Sequence, residues 1–274
     1  FSEKERPYII QLFGAEPEHF ALAAKIIEKK VKPDGIDINF GCPVKKVARQ
    51  GAGAKLMNDF KLARKIIAAT IKSTKLPVSI KCRSREGQVD VLKFLDYMSG
   101  LDIKAVMIHG RASAQGQSGE VDWQIIKKAR PLVKGVLLAN GGVKSAVDAR
   151  DLLKKTGADG IGIGQGALGR PWIFEEVKSS HSIQGLEIGK IPLTPFAKGG
   201  KCQEEIFRIM LKHAKLVEKL SAQGGSASGG KGRSGIIEMR KHLCWYVSGL
   251  HDAGILRRKL IKAETLNDIK KTLS

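Results

Sequence analysis

Asp37-Ile-Asn-Phe-Gly-Cys-Pro-Val-Lys-Lys-Val-Ala-Arg-Gln-Gly-Ala-Gly-Ala-Lys-Leu-Met57 is the stretch on which the reading of this chain turns. It begins as a short apolar strand, Ile36 to Phe40, and breaks at Gly41. It then presents a lone cysteine, Cys42, fixed by Pro43, and runs on through a basic, glycine-rich loop. A thiol at the mouth of a strand, with Lys45, Lys46 and Arg49 close behind it, can be an acid, a nucleophile or an inert core residue. The loop Gln50 to Ala54 lets a backbone approach a ligand closely, because glycine accepts dihedrals that other residues resist.

Working outward, strands and helices alternate. Strands are expected at Tyr8 to Phe13, Ile36 to Phe40, Val78 to Cys82, Ala105 to His109, Val136 to Ala139 and Gly160 to Ile163. Helices are expected at Glu16 to Lys30, Asp59 to Ser73, Val89 to Ser99, Asp122 to Ala129 and Ser145 to Thr156. Strands that read as apolar throughout, alternating with amphipathic helices, imply parallel pairing with both sheet faces buried. Six strand–helix units match a (β/α) barrel, whose full complement is eight, with a doubly wound open sheet as the alternative. After Phe174 the pattern changes. Residues 175 to about 200 read as irregular, and Cys202 to Leu220 reads as a helix. Ala222 to Gly232 is a Gly/Ser-rich flexible loop, and helices follow at Ile236 to Val247 and Thr265 to Leu273. The expected domains are a barrel over 1–175 and a small helical domain over 176–274.

Composition narrows the function classes. With 274 residues and 42% hydrophobic content, the chain can build a real core. No apolar run approaches the roughly 20 residues needed to span a membrane, and with the charged start Phe1-Ser-Glu-Lys-Glu-Arg6 no signal peptide is expected. The four cysteines, Cys42, Cys82, Cys202 and Cys244, contain no C-x-x-C pair. Reduced thiols in a cytoplasmic protein, with no metal site, are therefore expected. The net charge of +21 favours a polyanionic partner, although a generally basic proteome would produce the same surplus. The last hundred residues carry 18 basic and 10 acidic side chains, so the basicity is spread over both parts.

Barrel enzymes collect their chemistry at the C-terminal ends of strands. Those positions hold Gln11, Asn39 with Cys42, Lys81 with Arg83, His109 with Arg111, Asn140 with Gly141 and Gly142, and Gly164 with Gln165. Singly, each has a plain explanation: His109 as a hydrogen-bonded structural histidine, Lys81 as a snorkelling lysine. Together they exceed what a purely structural rim requires, since buried polar groups cost stability unless satisfied. Gly164-Gln-Gly-Ala-Leu-Gly169 matches G-x-G-x-x-G but follows the last strand, which disfavours a dinucleotide fold. A phosphate site between Asn140-Gly-Gly142 and Gly164-Gln165, built from backbone N–H groups, fits a barrel better. A phosphate-bearing cofactor is implied.

At these residues the chain resembles the tRNA-dihydrouridine synthases, flavin enzymes of the TIM-barrel class. The matching runs are Gln11-Leu-Phe-Gly14, Asp37-Ile-Asn-Phe-Gly-Cys-Pro43, Gly51-Ala-Gly-Ala54, Val106-Met-Ile-His-Gly-Arg111 and Gln115-Gly-Gln-Ser-Gly119 with Asp122-Trp123. Asn140-Gly-Gly142 and Gly164 to Phe174 continue the match, and Met239-Arg-Lys-His-Leu243, Tyr246 and Leu256-Arg257 resemble the family's RNA-binding tail. The resemblance implies a TIM-barrel-type fold with a C-terminal helical domain, FMN as cofactor, NADPH or NADH as reductant, and tRNA as partner of a monomer. It implies that Cys42 is the catalytic acid and that Gln11, Lys81, His109, Asn140, Gly141, Gly142, Gly164 and Gln165 hold FMN. It also implies that Arg111, Arg240, Lys241 and His242 meet the RNA, and Asn39 with the basic Lys45, Lys46 and Arg49 behind Cys42 is expected to bind substrate as well. A small-molecule flavin oxidoreductase of the dihydroorotate dehydrogenase type and a non-catalytic RNA-binding remnant are the alternatives. Against the family pattern, the chain opens at what would be the third strand, so an incomplete barrel and flavin pocket are expected. It also has Ala112 where threonine is common and Gln165 where arginine is common, and the Gly/Ser-rich loop has no counterpart.

Overall fold

The structure is a computed structural model that describes residues 2–182, 201–222 and 235–273. The chain divides into two compact units, one running to Val143 and resuming over Val147–Gly164, the other comprising Lys144–Ala146 and everything from Gln165 onward. The division falls ahead of the boundary expected at 175, because Trp172 is part of the helical unit's core.

The first unit is built on β1 (Ile9–Leu12), β2 (Gly35–Phe40) and β3 (Val78–Arg83), a two-residue ladder of β4 (Arg85–Glu86) with β5 (Val89–Asp90), then β6 (Ala105–His109), β7 (Val136–Asn140) and β8 (Gly160–Gly162). The main sheet is parallel, in the order β1-β2-β3-β6-β7-β8. Each strand lies beside its predecessor in the chain, and the order never reverses. A doubly wound sheet must reverse at its switch point, so the sheet is wound in the barrel sense. The fold is α/β of TIM-barrel type, with six parallel strands and a C-terminal helical region.

The connections are α1 (Pro17–Lys30), α2 (Lys45–Arg49), α3 (Phe60–Lys72), α4 (Val91–Tyr97), α5 (Trp123–Ala129) and α6 (Ala146–Thr156). Aspartates start three of them: Asp59, Asp90 and Asp122 accept hydrogen bonds from the backbone N–H of Leu62, Lys93 and Ile125, each at 3.0 Å. Such caps satisfy donors that a helix start leaves unpaired. The basic segment after Cys42, read as loop, contains the short helix α2.

One expectation about the strands is corrected. They are not apolar throughout but alternate. Ile36, Ile38 and Phe40 of β2, Val78, Ile80 and Cys82 of β3, Val106 and Ile108 of β6, and Leu137 and Ala139 of β7 are all buried. Between them stand Asp37 and Asn39, Ser79 and Lys81, Met107, and Leu138, all partly exposed. Parallel register sets Asn39 beside Lys81, Lys81 beside Met107, and Arg83 beside His109 beside Asn140. One sheet face is therefore hydrocarbon, and the other carries the polar side chains. Phe40 anchors the apolar face against α4, with its ring centroid 5.3 Å from that of Phe94. Because Phe40 is fully buried, Phe40→Ala is expected to cost about 3–5 kcal/mol, read as a lowered urea midpoint at unchanged slope.

The second unit contains α7 (Ile173–Ser182), α8 (Gln203–Ala222), α9 (Gly235–Tyr246), α10 (Ala253–Leu260) and α11 (Leu266–Leu273). The irregular segment expected from 175 is thus helical at its start, because Ile173 and Val177 turn to a buried side. Its remainder from 183, and the Gly/Ser-rich loop at 223–232, lie outside the described residues. The core joins Trp172, Ile206, Met210, Ala214, Met239, Leu243 and Tyr246. Gly169, at φ +65°, allows the chain to pass Trp245, whose carbonyl carbon would lie 2.3 Å from any Cβ there. Among the described residues no helix is long and apolar enough to cross a membrane.

Candidate active site

Parallel strands end together, so the polar face and the strand ends form one edge. There the backbone around Cys42 is held on each side. Asn39 Oδ1 accepts the N–H of Gly41 and of Cys42, both at 2.9 Å. The Cys42 carbonyl accepts from Ala54 N–H at 3.0 Å. The Gly41 carbonyl accepts from Arg83 Nε at 3.1 Å. Glycine at 53 makes this closure possible: it sits at φ +66°, and a Cβ there would lie 2.7 Å from the Cys42 carbonyl oxygen. The glycine-rich loop therefore serves the cysteine turn itself.

The environment is cationic. Arg83 is almost fully buried, and its Nη1 donates to the carbonyls of Gly116 at 2.5 Å and Ala112 at 3.5 Å. Burial and the Arg111 charge hold its pKa below the ordinary value. Burial likewise lowers Lys81, with the Arg83 charge adding to the shift and the Cys82, Asp37 and Cys42 positions opposing it. His109, 5% exposed, is pushed down to about 3 by burial and then by Arg83, Lys81 and Arg111. It is a neutral imidazole at physiological pH. Arg111 Nη1 lies 3.4 Å from His109 Nε2 and can only donate, which puts the ring proton on Nδ1. Asp37 supplies a carboxylate to this face, its pKa raised by burial despite hydrogen bonds from Gln11 and Ser79.

The two barrel cysteines separate cleanly. Cys82 lies on the hydrocarbon face, fully buried, its thiol pushed up to about 12 by burial. Cys42 is partly exposed at the polar edge, where an acid or nucleophile can reach a ligand.

Of the residues expected in the site, the structure brings Gln11, Asn39, Cys42, Lys81, His109, Arg111, Asn140, Gly141, Gly142 and Gly164 to this edge of the first unit. Asn140 Nδ2 donates to the Gly162 carbonyl at 2.6 Å. Gly141, at φ +122°, lies so close to His109 that a Cβ would meet its ring at 2.8 Å, and around Gly164 there is open space. Lys45, Lys46 and Arg49 are exposed on α2. Gln165, Arg240, Lys241 and His242 belong to the second unit. There Arg240 donates to the carbonyls of Ala263 and Lys262 and pairs with Glu264 at 3.5 Å. Lys241 is exposed, and the His242 ring meets Trp245 edge-on at 4.9 Å. Sequence reasoning assigned no task to Asp37, Ser79 or Arg83. The alternation in Asp37-Ile-Asn39 and Ser79-Ile-Lys-Cys-Arg83 was the signal that could have placed them on one face.

The dihydrouridine synthase (Dus) family model matches residues 1–274. The chain belongs to the dihydrouridine synthase family. It is 32% identical over 278 residues to a probable tRNA-dihydrouridine synthase of Mycobacterium tuberculosis (strain CDC 1551 / Oshkosh), covering 98% of this chain and 66% of that protein. It is 36% identical over 187 residues to a probable tRNA-dihydrouridine synthase of Aquifex aeolicus (strain VF5), covering 67% of this chain and 59% of that protein. The chain thus spans less than two thirds of the length of these curated relatives. Among solved structures, an N-acetylneuraminate lyase from Mycoplasma synoviae is similar over 99% of this chain and 97% of its own, at 12% identity and a TM-score of 0.46. That likeness is too distant to bear on function.

Two outcomes test the site of this dihydrouridine synthase family member. Gly53→Ala is expected to cost about 1–3 kcal/mol for the strained backbone and to change the alkylation rate of Cys42 by iodoacetamide, read by mass spectrometry. The His109 ring is expected to keep its neutral NMR signature at about pH 5, where an ordinary histidine is largely protonated. From about pH 6.5 down toward 3 the unfolded chain binds a proton that folded His109 refuses, so this residue makes the fold less stable as pH falls through that window.

Proposed function

We propose that the chain is a flavin-dependent, NAD(P)H-using oxidoreductase that reduces uridine in tRNA to dihydrouridine, with Cys42 as the acid. The observation that carries this reading is a backbone-clamped, partly exposed thiol on the same polar edge as Lys81, Arg83, Arg111 and neutral His109. The residues present fit FMN. Lys81 and the arginines form a cationic surround suited to an electron-rich ring and a phosphate. Asp37 already accepts on both oxygens, and Gly141, Gly142 and Gly164 leave backbone N–H groups without side chains to cover them. Gln11, Lys81 and His109 would hold the ring, and Asn140 to Gly142 with Gly164 the phosphate.

When bound, a reduced flavin supplies hydride to C6 of a uracil and NAD(P)H restores it. The remaining requirement is a proton at C5, which the chain must provide. A thiol is a proton donor of the kind this step requires and can give it. The clamp fixes the backbone from which the Cys42 side chain extends for that transfer, and such orientation contributes to rate. Asn39 would orient the base through its remaining Nδ2–H. Arg111, Lys45, Lys46 and Arg49, with Arg240, Lys241 and His242, would meet the RNA, largely through its phosphates. The target base must leave its stack to reach such a site.

Incubation with unmodified tRNA, FMN and NADPH is expected to yield dihydrouridine, detected by mass spectrometry of the digested RNA. Cys42→Ala is expected to lower kcat by about 10²- to 10⁴-fold, the usual worth of general acid–base catalysis, while flavin absorbance is retained. Full turnover by that variant would remove Cys42 from the role. Reduction of free uracil as efficient as that of tRNA would point to a small-molecule oxidoreductase instead.

A further inference from the structure

The Cys42 clamp depends on which way one amide points. Asn39 can hold the N–H groups of Gly41 and Cys42 only with its Oδ1, which sends its Nδ2 the other way. There Nδ2 donates to Gln11 Oε1 at 2.8 Å. Gln11 Nε2 in turn donates to Asp37 Oδ2 at 2.6 Å, and Asp37 Oδ1 accepts from Ser79 Oγ at 2.6 Å. An amide presents a donor on one side and an acceptor on the other, so either amide alone could be turned over. The direction of this relay is set only at its ends. At one end are backbone N–H groups, which can only donate. At the other is a carboxylate, which in its ionised form can only accept.

We infer that Asp37 is a positioning residue for the Cys42 turn: its carboxylate, acting through Gln11, fixes the orientation of Asn39 and thereby the hold of Asn39 on the Cys42 backbone. The same polarity leaves a second Nδ2 proton on Asn39 and a second Nε2 proton on Gln11 to be donated, so the edge offers donors. Asp37 acts on the turn through these two intervening amides, not by a bond to the thiol. Its relevance to catalysis rests on the reading of Cys42 as the acid. The hydrogen-bond relay itself does not, and can be tested without flavin or RNA.

The test is a double-mutant cycle read by hydrogen exchange at the Gly41 and Cys42 amides of the full chain, at mildly alkaline pH where carboxylates are ionised. Gln11→Glu sets two carboxylates face to face, and their repulsion drives the side chain at position 11 away from Asp37 and off Asn39 Nδ2, which breaks the relay. It is expected to speed exchange at both amides by about tenfold, roughly the worth of one hydrogen bond, while Ile80 and Ile108 on the buried face keep their protection. Adding Asp37→Asn returns an amide opposite the new carboxylate. The carboxylate at position 11 then accepts from Asn39 and from the amide at position 37, and the net charge is that of the parent. Exchange is expected to return to within about threefold of the parent rate. No response of Gly41 and Cys42 to Gln11→Glu, or no recovery in the double variant, overturns the proposal. If Gln11→Glu lowers the melting temperature so far that exchange reports global opening, Gln11→Met carries the test. With the bridge removed, Asp37→Asn is expected to leave Cys42 exchange within about twofold, and a larger effect overturns the relay. Failure of dihydrouridine formation in the parent would sink the catalytic reading and leave these outcomes untouched.

Discussion

In β2, Ile36, Ile38 and Phe40 go to one face of the sheet and Asp37 and Asn39 to the other, and the rest of the first unit follows from that split. A strand has no other choice, since successive side chains point to opposite sides. Parallel pairing then carries the split across the sheet without a slip: Asn39 sits beside Lys81, and Arg83 beside His109 beside Asn140. The hydrocarbon face gains its stability by burying Ile36, Ile38, Phe40, Ile80 and Ile108 completely. The polar face is thereby free to be chosen for chemistry.

That freedom has a local cost, which the site meets with hydrogen bonds. A guanidinium as buried as Arg83 would be expensive if unpaired. Among the described residues it has no carboxylate within ion-pair distance, and it donates instead to the carbonyls of Gly41, Gly116 and Ala112. It ties the turn before Cys42 to the loop after Arg111 while keeping its charge. Burial, reinforced by this charge and those of Lys81 and Arg111, keeps His109 neutral. Such a cationic edge is suited to an anionic or electron-rich ligand.

The helical unit uses its charged residues differently. Arg170 donates to the Lys144 carbonyl and pairs with Glu176, and Arg240 is bound to the end of the segment that follows α10. Arg240, in a stretch that resembles an RNA-facing surface, is therefore engaged in holding backbone. Lys241, beside Arg240 on the same helix, is exposed. Adjacent residues on a helix diverge by about 100° around its axis, so a basic run in sequence is not a basic patch in space.

Much of the fold is legible in the amino-acid sequence. The spacing of apolar runs locates all six strands of the main sheet, and Asp59 and Asp122 mark the start of their helices. The strand-end residues Gln11, Asn39, Cys42, Lys81, His109 and Asn140 can be gathered because parallel strands finish on one side. The short helices α2, α7 and α10 are not legible, since a few turns carry too little periodicity and tertiary packing decides them. Nor are the tasks of Asp37, Ser79 and Arg83. Sequence by itself determined the order of elements, the family and which side chains are polar, because those depend on local pattern. Only the tertiary structure decided that Cys82 is sealed in hydrocarbon while Cys42 stands at the edge, and that Asp37 reaches the Cys42 turn through Gln11 and Asn39. The first depends on which face of the sheet the helices cover, and the second on register between strands far apart in the chain, and no local pattern encodes either.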